Sequence, residues 1–436
     1  MKINTTKTII GSFIGAILIG MLLLMLPISN QSGQIGNPLT CLFTATSAMC
    51  VTGLVVVDTA TTWTLFGQTI ILILIQLGGL GLIFVSSIIM IIFGAKIGYS
   101  QQNTLQDALS LKKVGGILKL SQFILKGVIL FELLGALFLF IQFSKEFSIG
   151  KAIYYSIFHA ISAFCNAGFD LMGIKQPFSS LTSYSFNILV NLTLISIIVI
   201  GGLGFTVWED MYTYRLNFKK YALQSKIVII TSFILIILPA LYFYFIEYKN
   251  LTGWNRLLPS LFQSITTRTA GFNTMDYTKM SEIGKVITIM LMLVGGSPGS
   301  TAGGMKTTTI AILVIATITT LKRQNEPHIF NKRISSQIIQ NALTIFMVYL
   351  TIMFITTFIV CSIENCSFME AIFECGSAIG TVGSSLSLTP TLSDISRCII
   401  IFLMLFGRVG GLTFILAIVP NIQSKQNYLA EEIIVG

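Results

Sequence analysis

Four glycines, Gly53, Gly168, Gly271 and Gly383, each stand eleventh in a twelve-residue segment, and the four segments align without gaps: FTATSAMCVTGL (43–54), FHAISAFCNAGF (158–169), LFQSITTRTAGF (261–272) and FECGSAIGTVGS (373–384). They recur about every quarter of the 436-residue chain. The two residues before each glycine are Val51 and Thr52, Asn166 and Ala167, Thr269 and Ala270, and Thr381 and Val382. None carries a carboxylate or an imidazole, so any chemistry shared by the four segments belongs to the backbone. A chain that turns successive carbonyls toward one axis needs conformations closed to residues with a Cβ, and glycine supplies them. A ring of such carbonyls replaces the hydration shell of a cation and selects it. Close helix packing alone explains one such glycine; it does not explain four in aligned frames.

The elements that must position these glycines can be read from the same stretches. The residues ahead of each glycine form half-length helices, too short to cross a bilayer and therefore re-entrant. Asn37-Pro38 offers an N-cap followed by proline at the first helical position, Ser148 a second cap, and Ser367 with Glu370 a capping box. A helix aiming its C-terminus at one place puts partial negative charge there, which favours a cation. A second glycine cluster follows each segment: GGLG at 78–81, GGLG at 201–204, GGSPGSTAGG at 295–304 and GRVGGL at 407–412.

Apolar stretches at 8–27, 68–94, 127–143, 184–208, 227–246, 286–321, 337–360 and 398–420 predict eight membrane spans. With 54% hydrophobic and 10% charged residues and a mean hydropathy of +0.84, the chain lies outside the soluble globular range. The expected fold is an all-α polytopic membrane protein: four tandem helix, pore loop, helix repeats around one central pore, with eight spans and four re-entrant half-helices. The repeats divide the chain at 1–116, 117–222, 223–334 and 335–436.

A net charge of +10 points to nucleic acid in a soluble chain, but here the basic residues follow topology instead. They cluster at Lys2 and Lys7, in 96–126, 215–226 and 322–333, and at Lys425, which the positive-inside rule makes cytoplasmic. Both termini are therefore expected inside, with the bilayer and not nucleic acid as the surrounding partner. The N-terminal apolar stretch is long and lacks a small-residue cleavage site before Pro27, so it reads as the first span. Seven cysteines show no metal-ligand spacing. An enzyme is not supported: only two histidines exist and no acid, base and nucleophile recur at one depth.

The third inner span is interrupted by Gly295, Gly296, Ser297, Pro298, Gly299, Ser300, Thr301, Ala302, Gly303 and Gly304. Irregular backbone at membrane depth is tolerated where it lines a cavity. This loop should therefore lie in the pore just inside the glycine ring, as a gate. Arg408, in an otherwise uncharged span, supplies five donors for its carbonyls and a charge that opposes cations on the path. Lys306, at the end of the loop, is expected to face the cytoplasm. GSTAGGMKT is not a phosphate loop, because Met305 separates the glycine from Lys306 and no strand precedes it. Glu132 reads as a protonated or helix-paired structural carboxylate with sodium coupling as the alternative, and His159 as a packed neutral side chain.

The four segments CVTGL, FCNAGF, TTRTAGF and GTVGS, together with GGSPGSTAGGMKT, resemble the potassium-uptake superfamily of bacterial Trk and Ktr and plant HKT transporters, most closely the Ktr membrane subunit. The resemblance covers the whole chain. It implies potassium uptake across a bacterial cytoplasmic membrane, a homodimer, and a separate cytosolic KtrA-type nucleotide-binding ring as regulator. It also implies that backbone carbonyls of the four segments carry potassium, with no organic cofactor on this chain. A glycine in all four segments goes with potassium selectivity in this family, whereas some plant relatives with serine in the first conduct sodium; Gly53 thus argues for potassium. Sodium dependence stays open, and the rival reading is an alternating-access sodium/potassium symporter. Such symporters usually pair inverted repeats, whereas all four repeats here share one orientation.

Overall fold

Burying every backbone group inside hydrocarbon demands long uninterrupted helices, and the described residues supply four of them. A computed structural model describes residues 5–81, 117–324, 326–411 and 414. Among these, the helices long and apolar enough to cross a membrane unaided lie in α1 (Thr5–Met25), α4 (Ile117–Phe143), α8 (Leu223–Tyr242, continued by a π-turn to Glu247) and α12 (Ser336–Glu364). Their exposed faces carry large apolar side chains such as Ile19 and Leu22 of α1, Leu133 and Leu137 of α4, Phe233 of α8 and Phe358 of α12. That pattern suits lipid contact rather than water.

Each long helix is followed by a short one: α2 (Pro38–Met49), α5 (Ile149–Phe164), α9 (Trp254–Thr266) and α13 (Phe368–Gly380). These span 12, 16, 13 and 13 residues, less than a bilayer requires. The Asn37 side chain accepts from the N–H groups of Leu39 and Thr40, and the Ser367/Glu370 capping box is closed in both directions. Ser148 differs from its expectation. It stands at the N-cap of α5, but its hydroxyl makes no capping bond.

The inner helices are α3 (Leu65–Leu80), α6 (Ile188–Gly202) with α7 (Phe205–Tyr214), α10 (Glu282–Leu293) with α11 (Thr307–Leu321), and α14 (Asp394–Val409). The order long helix, short helix, glycine turn, inner helix thus occurs four times along the chain. Eight continuous spans are not what the described residues form. Among the described residues the second inner helix breaks at its glycine cluster as well as the third, and the first and fourth end at theirs. α3 stops at Gly81 (φ 87°), α14 stops at Gly410 (φ 92°), and α7 leaves α6 at 96° through Gly204 (φ 91°). Those dihedrals are open to glycine and costly for other residues, so the span expected at 184–208 is formed by two helices. The rest of spans 68–94 and 398–420, both chain termini, and the basic residues Lys2, Lys96, Lys112, Lys113 and Lys425 lie outside the described residues.

Cysteines 361 and 366 hold free thiols, and the Cys361 Sγ donates to the Cys366 carbonyl at 3.1 Å. The capping box sets the stability of α13, whose body is buried from Ala371 to Gly380. Ser367→Ala should cost about 1 kcal/mol and lower the thermal midpoint of the detergent-purified protein by a few degrees, measured by loss of the monodisperse elution peak after heating.

Candidate functional site

In each aligned segment two positions take left-handed backbone. Position nine is Val51 (φ 57°), Asn166 (φ 58°), Thr269 (φ 88°) or Thr381 (φ 51°), and position eleven is glycine at 88°, 70°, 75° and 96°. Three of the position-nine residues are β-branched, for which positive φ is an outlier. Strain of this kind persists only where surrounding structure enforces it. The enforcing bonds are visible: Thr52 N–H donates to the Ser47 carbonyl at 2.8 Å, Ala167 to Ser162 at 2.7 Å, Val382 to Ser377 at 2.8 Å, and Gly271 to Thr266 at 3.1 Å.

Hydroxyls at the same places add a second set of ties. Gly53 N–H donates to Ser47 Oγ at 3.1 Å and Gly383 N–H to Ser377 Oγ at 3.0 Å. Ser162 Oγ donates to the Phe169 carbonyl at 2.7 Å and Thr266 Oγ1 to the Phe272 carbonyl at 2.8 Å. These four residues were missed from sequence. The signal was present as serine fifth in three of the segments, with the third segment shifted to Thr266.

The four segments meet. A Cβ on Gly53 would strike the Ala167 carbonyl and Gly168, one on Gly168 the Ala270 carbonyl and Gly271, one on Gly271 the Val382 carbonyl and Gly383, and one on Gly383 the Thr52 carbonyl and Gly53. The contacts close a ring in chain order. Each of its glycines is needed twice, once for its dihedral and once for the room its neighbour's carbonyl takes. Asn166 Nδ2 donates to Thr269 Oγ1 at 3.0 Å and ties the second segment to the third.

Residues 294–306 lie against one side of this ring, where a Cβ on Gly303 would strike the Thr381 side chain. The loop is tied to neighbouring elements. Ser297 N–H donates to the Gly202 carbonyl at 3.1 Å, Thr301 N–H to Gly201 at 3.3 Å, Gly304 N–H to Gly407 at 3.1 Å, and the Gly299 carbonyl accepts from Phe205 N–H at 2.7 Å. Thr301 Oγ1 donates to the Phe164 carbonyl at 2.9 Å, at the C-terminal end of α5. The Arg408 guanidinium donates to the carbonyls of Thr301, Gly78 and Gly79, so it joins the loop to the end of α3 as well. The loop carbonyl was expected; the α3 carbonyls were not. Lys306 departs from its cytoplasm-facing expectation, because Nζ folds back to donate to the Ala302 carbonyl at 2.8 Å.

On the opposite side of the ring opens a cavity of about 570 Å³, lined by all four ring glycines and by Asp58, Asp170 and Asp276, with Lys279 at its wall. Asp58 is fixed as the cap of Ala60 and Thr61 and accepts from Phe178 N–H at 3.0 Å. Asp170 accepts from Met172 N–H at 2.9 Å. Burial, with the charge of Asp58 beside it, pushes the Asp170 carboxyl up to about 7. Away from the ring, Gln76 Nε2 donates to Glu132 at 3.0 Å and pairs α4 with α3. The buried His159 ring bonds the Tyr155 carbonyl through Nδ1 at 2.7 Å and accepts from Leu171 N–H at Nε2, which fixes its neutral tautomer.

A ring of strained glycine turns between a carboxylate-lined mouth and a cation-bearing loop is a geometry for passing cations. The family model described as TrkH, cation transport protein, matches residues 3–428. The chain belongs to the TrkH cation transport family. Among curated relatives, the potassium/sodium uptake protein NtpJ of Enterococcus hirae is 37% identical over 100% of this chain and 98% of its own length. The Ktr system potassium uptake protein B of Bacillus subtilis is 39% identical over 98% and 95%. The solved potassium transporter TrkH from Vibrio parahaemolyticus aligns with a TM-score of 0.75 at 17% identity, covering 96% of this chain and 85% of that one, and so shares the fold of this TrkH-family chain.

Because the Asp170 carboxyl titrates near 7, it is neutral below that pH and negative above it. Cation entry at sub-saturating concentration should therefore rise as pH increases through 7, by roughly two- to threefold for one partly screened charge. Asp170→Asn should flatten that rise, read as initial rubidium uptake on either side of pH 7.

Proposed function

We propose that this chain takes up potassium across a bacterial cytoplasmic membrane through the carbonyls of Val51, Thr52 and Gly53, Asn166, Ala167 and Gly168, Thr269, Ala270 and Gly271, and Thr381, Val382 and Gly383. The four stretches 1–116, 117–222, 223–334 and 335–436 are read as repeats around one pore, with both termini in the cytoplasm. The observation that carries this reading is the closed ring in which each glycine makes room for the next segment's carbonyl. Oxygens from four segments at one place are what a dehydrated cation needs. The printed names of the Enterococcus and Bacillus relatives, both potassium uptake proteins, support the choice of ion.

Residues 295–304 act in this reading as a gate. The loop lies against the ring and carries Arg408 beside it, so a cation leaving the ring meets backbone and a fixed positive charge. Bonds to α6, α7 and α14 hold it there. Sodium takes part in a second reading, favoured by the potassium/sodium name of the Enterococcus protein. A homodimer resting on a KtrA-type nucleotide-binding ring is the proposed assembly, supported by the relative that belongs to a named Ktr system. Potassium and rubidium flux into liposomes carrying the purified chain, with and without a sodium gradient, tests the uptake reading. Flux that follows the potassium gradient alone excludes obligatory sodium coupling, and flux of neither ion sinks the reading.

Gly53→Ser should lower potassium preference over sodium on the order of tenfold, equivalent to about 1.4 kcal/mol, because the new Cβ meets the Ala167 carbonyl. The check is competitive uptake in a host lacking its own potassium transport. Serine at each of the four glycines in turn with no change in preference would rule the ring out as the selective element.

Deleting 297–302 should raise maximal potassium uptake velocity steeply while preserving ion preference, since the ring segments remain. Arg408→Ala should act in the same direction and more weakly, because losing a charged hydrogen-bond partner costs roughly 1.5 to 3 kcal/mol while the loop's backbone bonds persist. Velocities are compared per amount of protein in the membrane. An unchanged velocity in the deletion would make the loop packing rather than gate.

A further inference from the structure

Two basic segments far apart in sequence, 215–226 and 322–333, meet in space at the loop-bearing end of the protein. The rings of Phe218 and Phe330 lie 6.4 Å apart. Lys226 Nζ sits 5.5 Å from the centre of the Phe330 ring and donates to the Lys219 carbonyl at 2.7 Å. Arg215, Lys219 and Lys220 of the first segment and Lys322, Arg323 and Lys332 of the second are all exposed. The two segments contain one acid, Glu326, and Arg333 already pairs with it at 2.9 Å. Just upstream, Glu209 is exposed, while Asp210 is occupied in accepting from Ala222 N–H at 2.9 Å.

Apolar side chains stand among these cations. Leu216 is 99% exposed, Leu321 78% and Tyr212 76%. Helix α7, which leads into the first segment, leaves the inner helix α6 at 96°, so with α6 crossing the bilayer it lies near the membrane plane. Helix α7 contributes Tyr212 and no Lys or Arg, but just past its end Arg215, Lys219 and Lys220 stand around exposed Leu216, and Lys322 and Arg323 follow exposed Leu321. Cations beside exposed apolar side chains fit a charged lipid surface, where the apolar groups enter the headgroup boundary and the cations meet phosphate. An acidic protein face would use the charges and leave those leucines in water.

The platform is joined to the glycine-rich loop by two rods. Helix α7 starts at Phe205, whose N–H donates to the Gly299 carbonyl at 2.7 Å, and its base is held by Trp208, which donates to the Ile200 carbonyl at 3.1 Å. Helix α11 starts at Thr307, whose N–H donates to the Gly296 carbonyl at 3.0 Å, and runs to Leu321 at the platform's edge. The platform is thus connected through α7 and α11 to hydrogen bonds at the tip and at the base of the loop.

We propose that this platform binds the anionic headgroups of the inner leaflet and that this binding biases the loop. The proposal rests on the loop being the gate and on its end of the protein being cytoplasmic. The test is rubidium flux by the purified chain in phosphatidylcholine vesicles doped with increasing phosphatidylglycerol, for the parent, for Lys219→Gln with Lys220→Gln, and for Lys322→Gln with Arg323→Gln. Parent flux should change with phosphatidylglycerol, and half-maximal response should need more of it in the variants, whose affinity for the anionic surface falls by roughly fivefold per charge removed. Flux in pure phosphatidylcholine should match the parent, which reports an intact fold; having two variants keeps the test open if one misfolds. A general rise in surface cation concentration acts on parent and variants alike, so equal responses overturn the proposal. A parent indifferent to phosphatidylglycerol overturns it as well, as does an equal effect from inorganic phosphate in solution or a response that requires the cytosolic ring. Absence of flux in every vesicle would instead strike the uptake reading itself.

Discussion

A backbone amide or carbonyl left without a partner in hydrocarbon costs several kcal/mol, and every irregular feature of this protein answers to that constraint. The four long helices satisfy it internally. The short helices cannot cross the bilayer, so each must end in a turn at membrane depth, and there the chain has to find new partners for its amides. It finds them locally: the carbonyls of Ser47, Ser162, Thr266 and Ser377 take the amides that follow, and the hydroxyls of the same residues take the next groups along. With those amides held from behind, the strained position-nine residues stay in place and the four glycines can approach one another.

The same constraint shapes the glycine-rich loop. Residues 294–306 replace a stretch of helix in which each amide would have had a partner four residues back. The loop borrows carbonyls at the ends of other helices instead. Gly201 and Gly202 of α6 and Gly407 of α14 accept from it, and Arg408 collects the carbonyls of Thr301, Gly78 and Gly79. The helix ends available for this are those left open by the other glycine clusters. The helix ends at the glycine clusters and the docking of one loop are therefore a single arrangement: an unbroken α6 would have consumed the carbonyls that hold Ser297 and Thr301.

Charge is distributed along the axis in keeping with this. Carboxylates of Asp58, Asp170 and Asp276 line the wide mouth, and Arg408 and Lys306 lie on the loop side, each hydrogen-bonded to carbonyls rather than paired with acids. Carbonyl partners leave net positive charge in place, whereas a carboxylate partner would have cancelled it. The two sides of the ring thus carry fixed charge of opposite sign.

The amino-acid sequence by itself determined what is local or periodic. The four aligned segments, the caps at Asn37 and Ser367, the long apolar helices and the glycine-rich interruption all follow from spacing and residue type, because backbone conformation and burial are set over a few residues. Other features depended on the third dimension. Ser148 takes the N-cap position without a side-chain capping bond; the Lys306 side chain bonds the loop; the span expected at 184–208 is bent by 96°. That Arg408 would reach α3, over 300 residues away in sequence, and that the ring would close in chain order were invisible as well. These outcomes depend on which carbonyls from distant helix ends come within hydrogen-bonding reach, and only the packing of all the helices together decides that.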